Sequence, residues 1–129
     1  MIRDKLMGMD CILAFETAAD YLGICAPSVH RWAYFVYSRE ELNIEGVVCK
    51  VVDSYENLEI VEDRGMRCTS ERQTIIDLLI YQRDDGIICE SISHYHCTHG
   101  DSFEGLNIPS DVQPIFYAYV DDALSFYAY

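Results

Sequence analysis

With 129 residues, half of them hydrophobic, the chain is long enough for one domain with a single substantial core, and this content excludes a disordered protein. Its 22 acidic residues against nine Lys and Arg give a formal net charge of −13, which disfavours direct binding to nucleic-acid phosphates. No apolar run approaches the ~20 residues that cross a bilayer. The N-terminus has no secretory hydrophobic segment, so we expect a cytoplasmic protein without membrane contact.

The first predicted element is an amphipathic helix near the N-terminus. Asp10 can serve as its N-cap, and apolar residues recur along one side as far as Leu22. Gly23 then supplies a stop, because glycine readily adopts the left-handed conformation that ends many helices. We therefore expect one helix from Asp10 to Leu22.

Short strands are predicted to follow this helix. Runs rich in aromatic and β-branched residues indicate them, with a polar loop at 39–46 and a turn at Gly65. The predicted strands are at 32–38, 47–52, 58–61 and 66–68. The second of these is apolar along nearly its whole length, which is typical of a largely buried strand.

The segment from Arg67 to Leu79 carries the strongest local signal. Ser70 with Gln73 three residues later fits a capping box, in which each side chain binds a backbone N–H at the start of a helix. The apolar run that follows leaves only a narrow polar stripe, which indicates a core helix extending to about Gln82.

Asp77 lies inside this apolar run. Burying an unpaired carboxylate costs several kcal/mol, on the order of the penalties for isolated charges, so Asp77 needs a partner. Arg67 and Arg72 are near in sequence, and Arg31 is a further candidate brought close by the fold. We interpret Asp77 as a buried polar lock rather than as an active-site acid.

Two helices are predicted to complete the chain. Asp84-Asp85-Gly86 breaks the core helix and starts another from Ile87 to His96, which Gly100 ends. An amphipathic helix at about 110–128 follows, in which Pro114 is tolerated because it lies in the first turn. The order of elements predicts a single α+β domain, with a small, mainly antiparallel sheet of about four short strands covered by four helices.

The segment around Ser70 resembles the T-S-x-E-R-T-x-x-D signature of AbiEi-type antitoxins, from type IV toxin–antitoxin systems of bacteria. The matching residues are Thr69, Ser70, Glu71, Arg72, Thr74 and Asp77, with Gln73 as an additional residue within the motif. A second stretch, at 12–24, is similar to the family's S-A-L-x-x-H-G-L helix. The resemblance covers about residues 10–106.

The resemblance implies a non-enzymatic antitoxin that opposes a nucleotidyltransferase toxin, by an antagonism thought not to need a stable toxin–antitoxin complex. Such antitoxins usually begin with a winged helix that binds operator DNA. Only Met1 to Met9 precede the first matching helix here. We therefore expect the family's second domain without its winged helix, and autoregulation through DNA binding is not carried over.

Charge and aromatic residues suggest an alternative. The segment 53–63 contains five acids and no Lys or Arg, and six aromatic residues lie among the last 14. Exposed acids favour an inhibitor, as some phage-borne proteins are, that binds a basic surface of a nucleic-acid-handling protein by mimicking nucleic-acid charge. Solubility alone is the competing explanation. The candidate partner surface consists of Asp53, Glu56, Glu59, Glu62, Asp63, Tyr117, Asp121, Asp122 and Tyr129.

A histidine-rich segment is the remaining candidate for chemistry. His94, His96, Cys97 and His99 are all competent zinc ligands. On a helix, however, His94 with Cys97 and His96 with His99 form two pairs that point in roughly opposite directions. We therefore interpret the segment as a polar helix end and predict neither a metal nor another cofactor.

Nucleophilic catalysis is not expected either. The Ser70 and Thr69 hydroxyls have no neighbouring histidine in the sequence. The six cysteines form no C-x-x-C pair and fall mostly within apolar runs, so we expect reduced, buried thiols.

Overall fold

A computed structural model describes residues 5–27 and 33–126 of the chain. Within these ranges the chain forms five strands and four helices of eight or more residues. In chain order they are β1 (Cys11–Leu13), α1 (Phe15–Leu22), β2 (Tyr34–Ser38), β3 (Val47–Val51), β4 (Ile60–Asp63), β5 (Met66–Thr69), α2 (Glu71–Ile80), α3 (Asp85–Thr98) and α4 (Gln113–Phe126).

The five strands form one mixed sheet with the order β3-β2-β1-β5-β4. β1 lies at its centre, antiparallel to β2 and parallel to β5. The outer pairs are β2–β3, which is parallel, and β4–β5, which is antiparallel. The predicted α+β class is confirmed, but the sheet has five strands rather than four and is mixed rather than mainly antiparallel.

The additional strand, β1, occupies the start of the predicted helix. Cys11, Ile12 and Leu13 are all buried, because a central strand is covered on both faces. A short, unbroken apolar run fits such a strand as well as it fits a buried helix, so hydrophobic periodicity cannot separate the two. The predicted helix start at Asp10 is therefore wrong, whereas its end at Gly23, with a φ of 73°, is confirmed.

The sheet separates two groups of buried side chains. On one face, Ile12 and Tyr37 belong to the larger cluster, which also contains residues of α2, α3 and α4. On the other face, Leu13 and Val36 belong to a smaller cluster that includes Leu6. The helices therefore cover one face of the sheet more fully than the other.

The prediction of a largely buried strand at 47–52 is wrong. β3 is an edge strand, and its Val48 and Val51 are 50% and 51% exposed. An apolar strand at an edge remains exposed when no other element packs on it. Whether such a strand is buried therefore depends on neighbouring elements, which its own sequence does not specify.

The other predicted elements are confirmed, with ends that differ by a few residues. Trp32 and the predicted end of the last helix at 127–128 lie outside the described residues. None of the helices in the described ranges combines the length and apolar character that a membrane crossing requires.

Candidate functional site

The family-like motif forms the junction between β5 and α2. The Ser70 side chain caps α2, since its Oγ accepts a hydrogen bond from the Gln73 backbone N–H at 3.1 Å. The same Oγ donates to Glu59 Oε1 at 2.6 Å. One residue earlier, the Thr69 and Thr74 hydroxyls are 2.7 Å apart and fully buried. The predicted capping role of Ser70 is therefore confirmed.

The second half of the predicted capping box is wrong. The Ser70 backbone N–H donates to the Glu59 carbonyl at 2.9 Å, which extends the β4–β5 ladder by one bond. Because this N–H is already satisfied, the Gln73 side chain has no reason to fold back to it. Gln73 instead accepts from the Glu59 N–H through Oε1 and donates to Asp77 Oδ1 through Nε2, each at 3.0 Å.

Asp77 is only 3% exposed and is hydrogen-bonded at both carboxylate oxygens. The Tyr37 hydroxyl donates to Oδ2 at 2.9 Å, and Gln73 supplies the donor to Oδ1. Burial raises the pKa of the Asp77 carboxyl, and these two hydrogen bonds oppose that rise without cancelling it. The carboxylate thus connects α2 to β2 through buried contacts.

The partners predicted for Asp77 are wrong where they can be checked. Arg67 instead lies 3.4 Å from an Asp10 oxygen. Arg72 donates to the backbone carbonyls of Leu106 and Asn107, at 2.6 and 2.8 Å. Arg31 lies outside the described residues. Tyr37 and Gln73, which are neutral donors, satisfy the carboxylate without adding a second buried charge.

The remaining motif residues connect α2 to its other neighbours. A 2.8 Å hydrogen bond joins Glu71 Oε2 to His94 Nδ1 on α3. Arg72 holds the loop that follows α3, and its Nη1 is 3.6 Å from Glu59 Oε2. Each polar side chain of the motif is therefore engaged inside the domain, which makes the motif an architectural joint between the sheet and the helices.

The zinc candidates are directed to separate neighbours. His94 contacts Glu71, His96 Nδ1 is 3.8 Å from Asp101 Oδ1, and the His99 ring stacks on Tyr95 at 3.7 Å. Cys97 is exposed. No group of three or more His, Cys, Asp or Glu that could hold a metal ion occurs among the residues for which the structure gives positions.

All six cysteines are thiols, and four of them are buried: Cys11, Cys25, Cys68 and Cys89. Burial raises the pKa of the Cys68 thiol to about 11 and also raises the pKa values of Cys11 and Cys89. A thiol must ionise to act as a nucleophile, so these environments suit packing and do not suit reaction.

The acidic candidate residues at 53–63 lie on and before the edge strand β4. Asp53, Glu56 and Glu62 are exposed and form no ion pair with any other described residue. Two members of the set have internal partners: Glu59 binds Ser70, and Asp63 Oδ2 lies 3.2 Å from Arg64 Nη2. We call Asp53, Glu56 and Glu62 the acidic edge.

The other candidate residues lie on a different element. Tyr117 is 65% exposed on α4, and Asp121 and Asp122 are also exposed. The helix buries Phe116 and Ala123 in the main core. Tyr129 lies outside the described residues. The candidate partner residues are thus divided between β4 with its preceding loop and the outer face of α4.

One cluster of cations and aromatic rings was not predicted. A cavity of ≈ 250 Å³ beside β3 is lined by Phe15, Phe35, Val48, Cys49, Lys50, Tyr81 and Arg83. It was missed because these residues come from separate predicted elements, and because the strand at 47–52, which contributes three of them, was expected to be largely buried. The Val48-Cys49-Lys50-Val51 order, which places a lysine inside an apolar strand, is the signal that could have indicated an edge.

The chain was compared with models of known protein families and with curated proteins, and neither comparison gave a match. Arguments about function therefore rest on the residues and contacts described above.

Proposed function

We propose that the protein is a cytoplasmic, non-enzymatic, antitoxin-like protein that opposes a nucleotidyltransferase toxin. The observation that carries this proposal is the position of the family-like motif at the joint between the sheet and the helices. Residues that hold a fold together characterise a whole domain. A resemblance at such residues therefore supports likeness of the whole domain, and the role that we propose is the one the resembled family performs.

The environment of the nucleophilic groups supports the non-enzymatic part of the proposal. The Ser70 hydroxyl donates to Glu59 while it caps α2, and the Thr69 hydroxyl is buried against Thr74. The buried thiols have raised pKa values. Activation of a nucleophile requires a nearby base or a lowered pKa. The protein would then act on its target without covalent chemistry of its own.

Co-expression with a nucleotidyltransferase toxin encoded beside this chain tests the proposal. We expect growth to recover when the chain is induced together with the toxin. A catalytically inactive variant of the toxin serves as the control, since growth should then be normal with or without the chain. Persistent growth arrest in cells that contain folded, soluble chain would contradict the antitoxin role.

A second candidate function is an acidic inhibitor of a protein that handles nucleic acid. The specific observation in its favour is the acidic edge, whose three carboxylates point to solvent without an ion-pair partner among the described residues. Unscreened acids of this kind attract a basic surface and accelerate association with it.

A charge-matched pair of variants separates the two functions. Asp53→Asn with Glu56→Gln and Glu62→Gln neutralises the acidic edge. Glu45→Gln with Glu104→Gln and Asp111→Asn removes three exposed charges elsewhere. For an inhibitor, we expect the first variant to bind a captured basic partner about tenfold more weakly at low salt, since exposed pairs contribute about 0.2–1 kcal/mol each, and the second to bind almost normally.

Equal loss in both variants would show that overall charge, and not this surface, is responsible. The antitoxin proposal predicts a different outcome in the same pair. Both variants should still restore growth in the presence of the toxin, because the antagonism of the resembled family is thought not to need a stable complex.

A further inference from the structure

The outer side of β3 presents backbone groups that no described strand uses. The Tyr34 N–H donates to the Gly46 carbonyl at 2.7 Å, and the Val52 N–H donates to the Ser38 carbonyl at 2.9 Å. In a parallel ladder, alternate residues bond to the same neighbour. Gly46, Val48, Lys50 and Val52 therefore face β2, whereas Cys49 and Val51 direct their N–H and C=O groups outward.

A cavity lies beside this edge, on the face of the sheet that carries the helices. Phe35 and Val48 are register partners on β2 and β3, and both line the cavity. Phe15 and Tyr81 form its aromatic wall, with ring centroids 5.4 Å apart in an edge-to-face arrangement. A volume of ≈ 250 Å³ accommodates one large side chain.

Two cations stand at the rim of this cavity. Lys50 Nζ lies 5.1 Å from the centroid of the Tyr81 ring, and Arg83 Cζ lies 4.4 Å from that of Phe35. Arg83 is fixed by Glu16, which accepts from its Nε and Nη2 at 2.9 Å each. This pair neutralises the charge of Arg83, so Lys50 supplies the net positive charge at the rim.

The aromatic wall is held in a strained conformation. Phe15 has a φ of 53°, a left-handed value that is rare for a bulky residue. Such a residue costs on the order of 1–3 kcal/mol and persists only where surrounding contacts impose it, which occurs most often at binding and active sites. Here the rings of Tyr37 and Tyr81, at 5.3 and 5.4 Å, hold Phe15 in place.

We propose that β3 binds an extended peptide of a partner protein, which adds to the sheet as a sixth strand and places an aromatic side chain, flanked by carboxylates, in the Phe15–Phe35–Tyr81 cavity. The outward N–H and C=O groups of Cys49 and Val51 would bind the peptide backbone. Charge complementarity indicates the acidic character of the peptide, since Lys50 lines this cavity and forms no ion pair with another described residue.

Nucleic acid and a second copy of the chain fit this surface less well. The overall charge repels a phosphate backbone, and a cavity lined by aromatic rings suits a side chain rather than a phosphate. Two copies joined antiparallel through β3 would bring their Lys50 side chains near one another and would combine two strongly acidic proteins. The proposal is independent of the antitoxin role, because it is based on the β3 edge and this cavity and not on the family-like motif.

A designed peptide can serve as the probe. Ser-Asp-Val-Phe-Val-Asp-Ser, acetylated and amidated, places Phe and both Asp side chains on one face, because side chains alternate along a strand. We expect its fluorescein-labelled form to bind the full chain in an anisotropy titration. Replacing Phe by Ala, or both Asp by Lys, should weaken binding at least tenfold. Failure of the acidic peptide to bind, or equal binding of all three peptides, would overturn the proposal.

Two variants of the chain test the charge of the cavity rim and the backbone pairing at β3 separately. Lys50→Glu should lose the acidic peptide and gain the lysine-bearing peptide, a charge swap that loss of folding cannot imitate. Val51→Pro should abolish binding of both, because proline removes an outward N–H and is tolerated on the free side of an edge strand. Unchanged binding in either variant would contradict the proposal. A dimer of the wild type in sedimentation that Val51→Pro abolishes would instead identify a second copy as the occupant and overturn it.

Discussion

The two edges of the sheet differ in the residues that they expose. β4 is a short edge strand on which Glu62 is exposed, whereas β3 exposes Val48 and Val51 beside Lys50. Charged residues on an edge discourage further pairing, and apolar residues do not. The difference teaches that a net charge of −13 does not describe every surface of this molecule, because Lys50 lines an apolar cavity at one edge while Glu62 is exposed at the other.

The edges also differ in how α2 holds them. On the β4 side, the Ser70 side chain binds Glu59 just before the strand. Ser70 is 7% exposed but Glu59 is exposed, so this bond is partly accessible. On the β3 side, Asp77 binds Tyr37 of β2, the neighbour of β3, and both residues are buried. Because a buried bond costs more to break than an accessible one, the two anchors should respond unequally to mutation.

The largest expected effect comes from breaking the buried anchor. Asp77→Ala removes the acceptor of the Tyr37 hydroxyl and opens a small void. Tyr37 is a buried residue, only 4% exposed, so its hydroxyl is left without a hydrogen-bond acceptor. We expect a loss of about 3 kcal/mol in the free energy of unfolding, within the range for unsatisfied buried groups and broken buried networks. Urea denaturation of wild type and variant measures this difference in the free energy of unfolding. A loss smaller than that caused by Ser70→Ala would contradict the proposed ranking of the anchors.

Proline scanning of β3 tests the assignment of its inward and outward backbone groups. Lys50→Pro removes an N–H that faces β2, and we expect it to cost about 2 kcal/mol, since a ladder bond is lost. Val51→Pro removes an outward N–H and should cost less than about 1 kcal/mol. Thermal and urea denaturation of both variants provides the comparison. The reverse order would show that the register of outward groups is assigned incorrectly.

Breaking the accessible anchor should have a smaller effect. Ser70→Ala removes the N-cap of α2 and the donor to Glu59, and caps of this kind contribute about 1 kcal/mol. Ser54→Ala is the matched control, because Ser54 Oγ accepts only the N–H of Glu56, two residues along an exposed turn. Equal midpoints of urea denaturation for the two variants would refute a special role for Ser70.

The smallest expected effect is the pH dependence that Asp77 contributes. Burial raises its pKa in the folded protein above its ordinary value of 3.8, so the folded state retains the proton to higher pH than the unfolded state does. The resulting stabilisation is fully present below pH 3.8 and is lost as pH rises through the folded pKa. Wild type should therefore lose stability relative to Asp77→Asn, which does not titrate, as pH rises from about 4 to 7.

Measuring both proteins at each pH cancels the contributions of the other carboxyl groups. A difference between wild type and Asp77→Asn that does not change with pH would show that Asp77 has the same pKa in the folded and unfolded states.

Features with a local cause could be predicted from the sequence. Ser70 caps α2 because a side chain and a backbone N–H three residues apart meet whenever a helix forms there. Gly23 ends α1 and Gly65 turns β4 into β5, since each has a left-handed φ that glycine adopts without strain. These features depend on neighbours within a few residues, so the surrounding fold did not have to be known.

Features that depend on distant partners could not be predicted in the same way. Tyr37 is separated from Asp77 by 40 positions, and nothing in the sequence near either residue indicates the other. β1 was mistaken for helix, and β3 for a buried strand, because burial is decided by the elements packed on each side. The cavity beside β3 was missed for the same reason, since Phe15, Lys50 and Arg83 come from three separate parts of the chain.

The central place of β1 has a consequence for biosynthesis. Leu13 pairs with Val36 on one side and with Cys68 on the other, so a nascent chain that stops before residue 66 leaves one flank of its innermost strand open. Closure of that flank requires a contact between distant segments, which forms late and slowly. Ribosome-bound fragments ending near residue 60 should therefore recruit chaperones, and release from them should coincide with the emergence of β5.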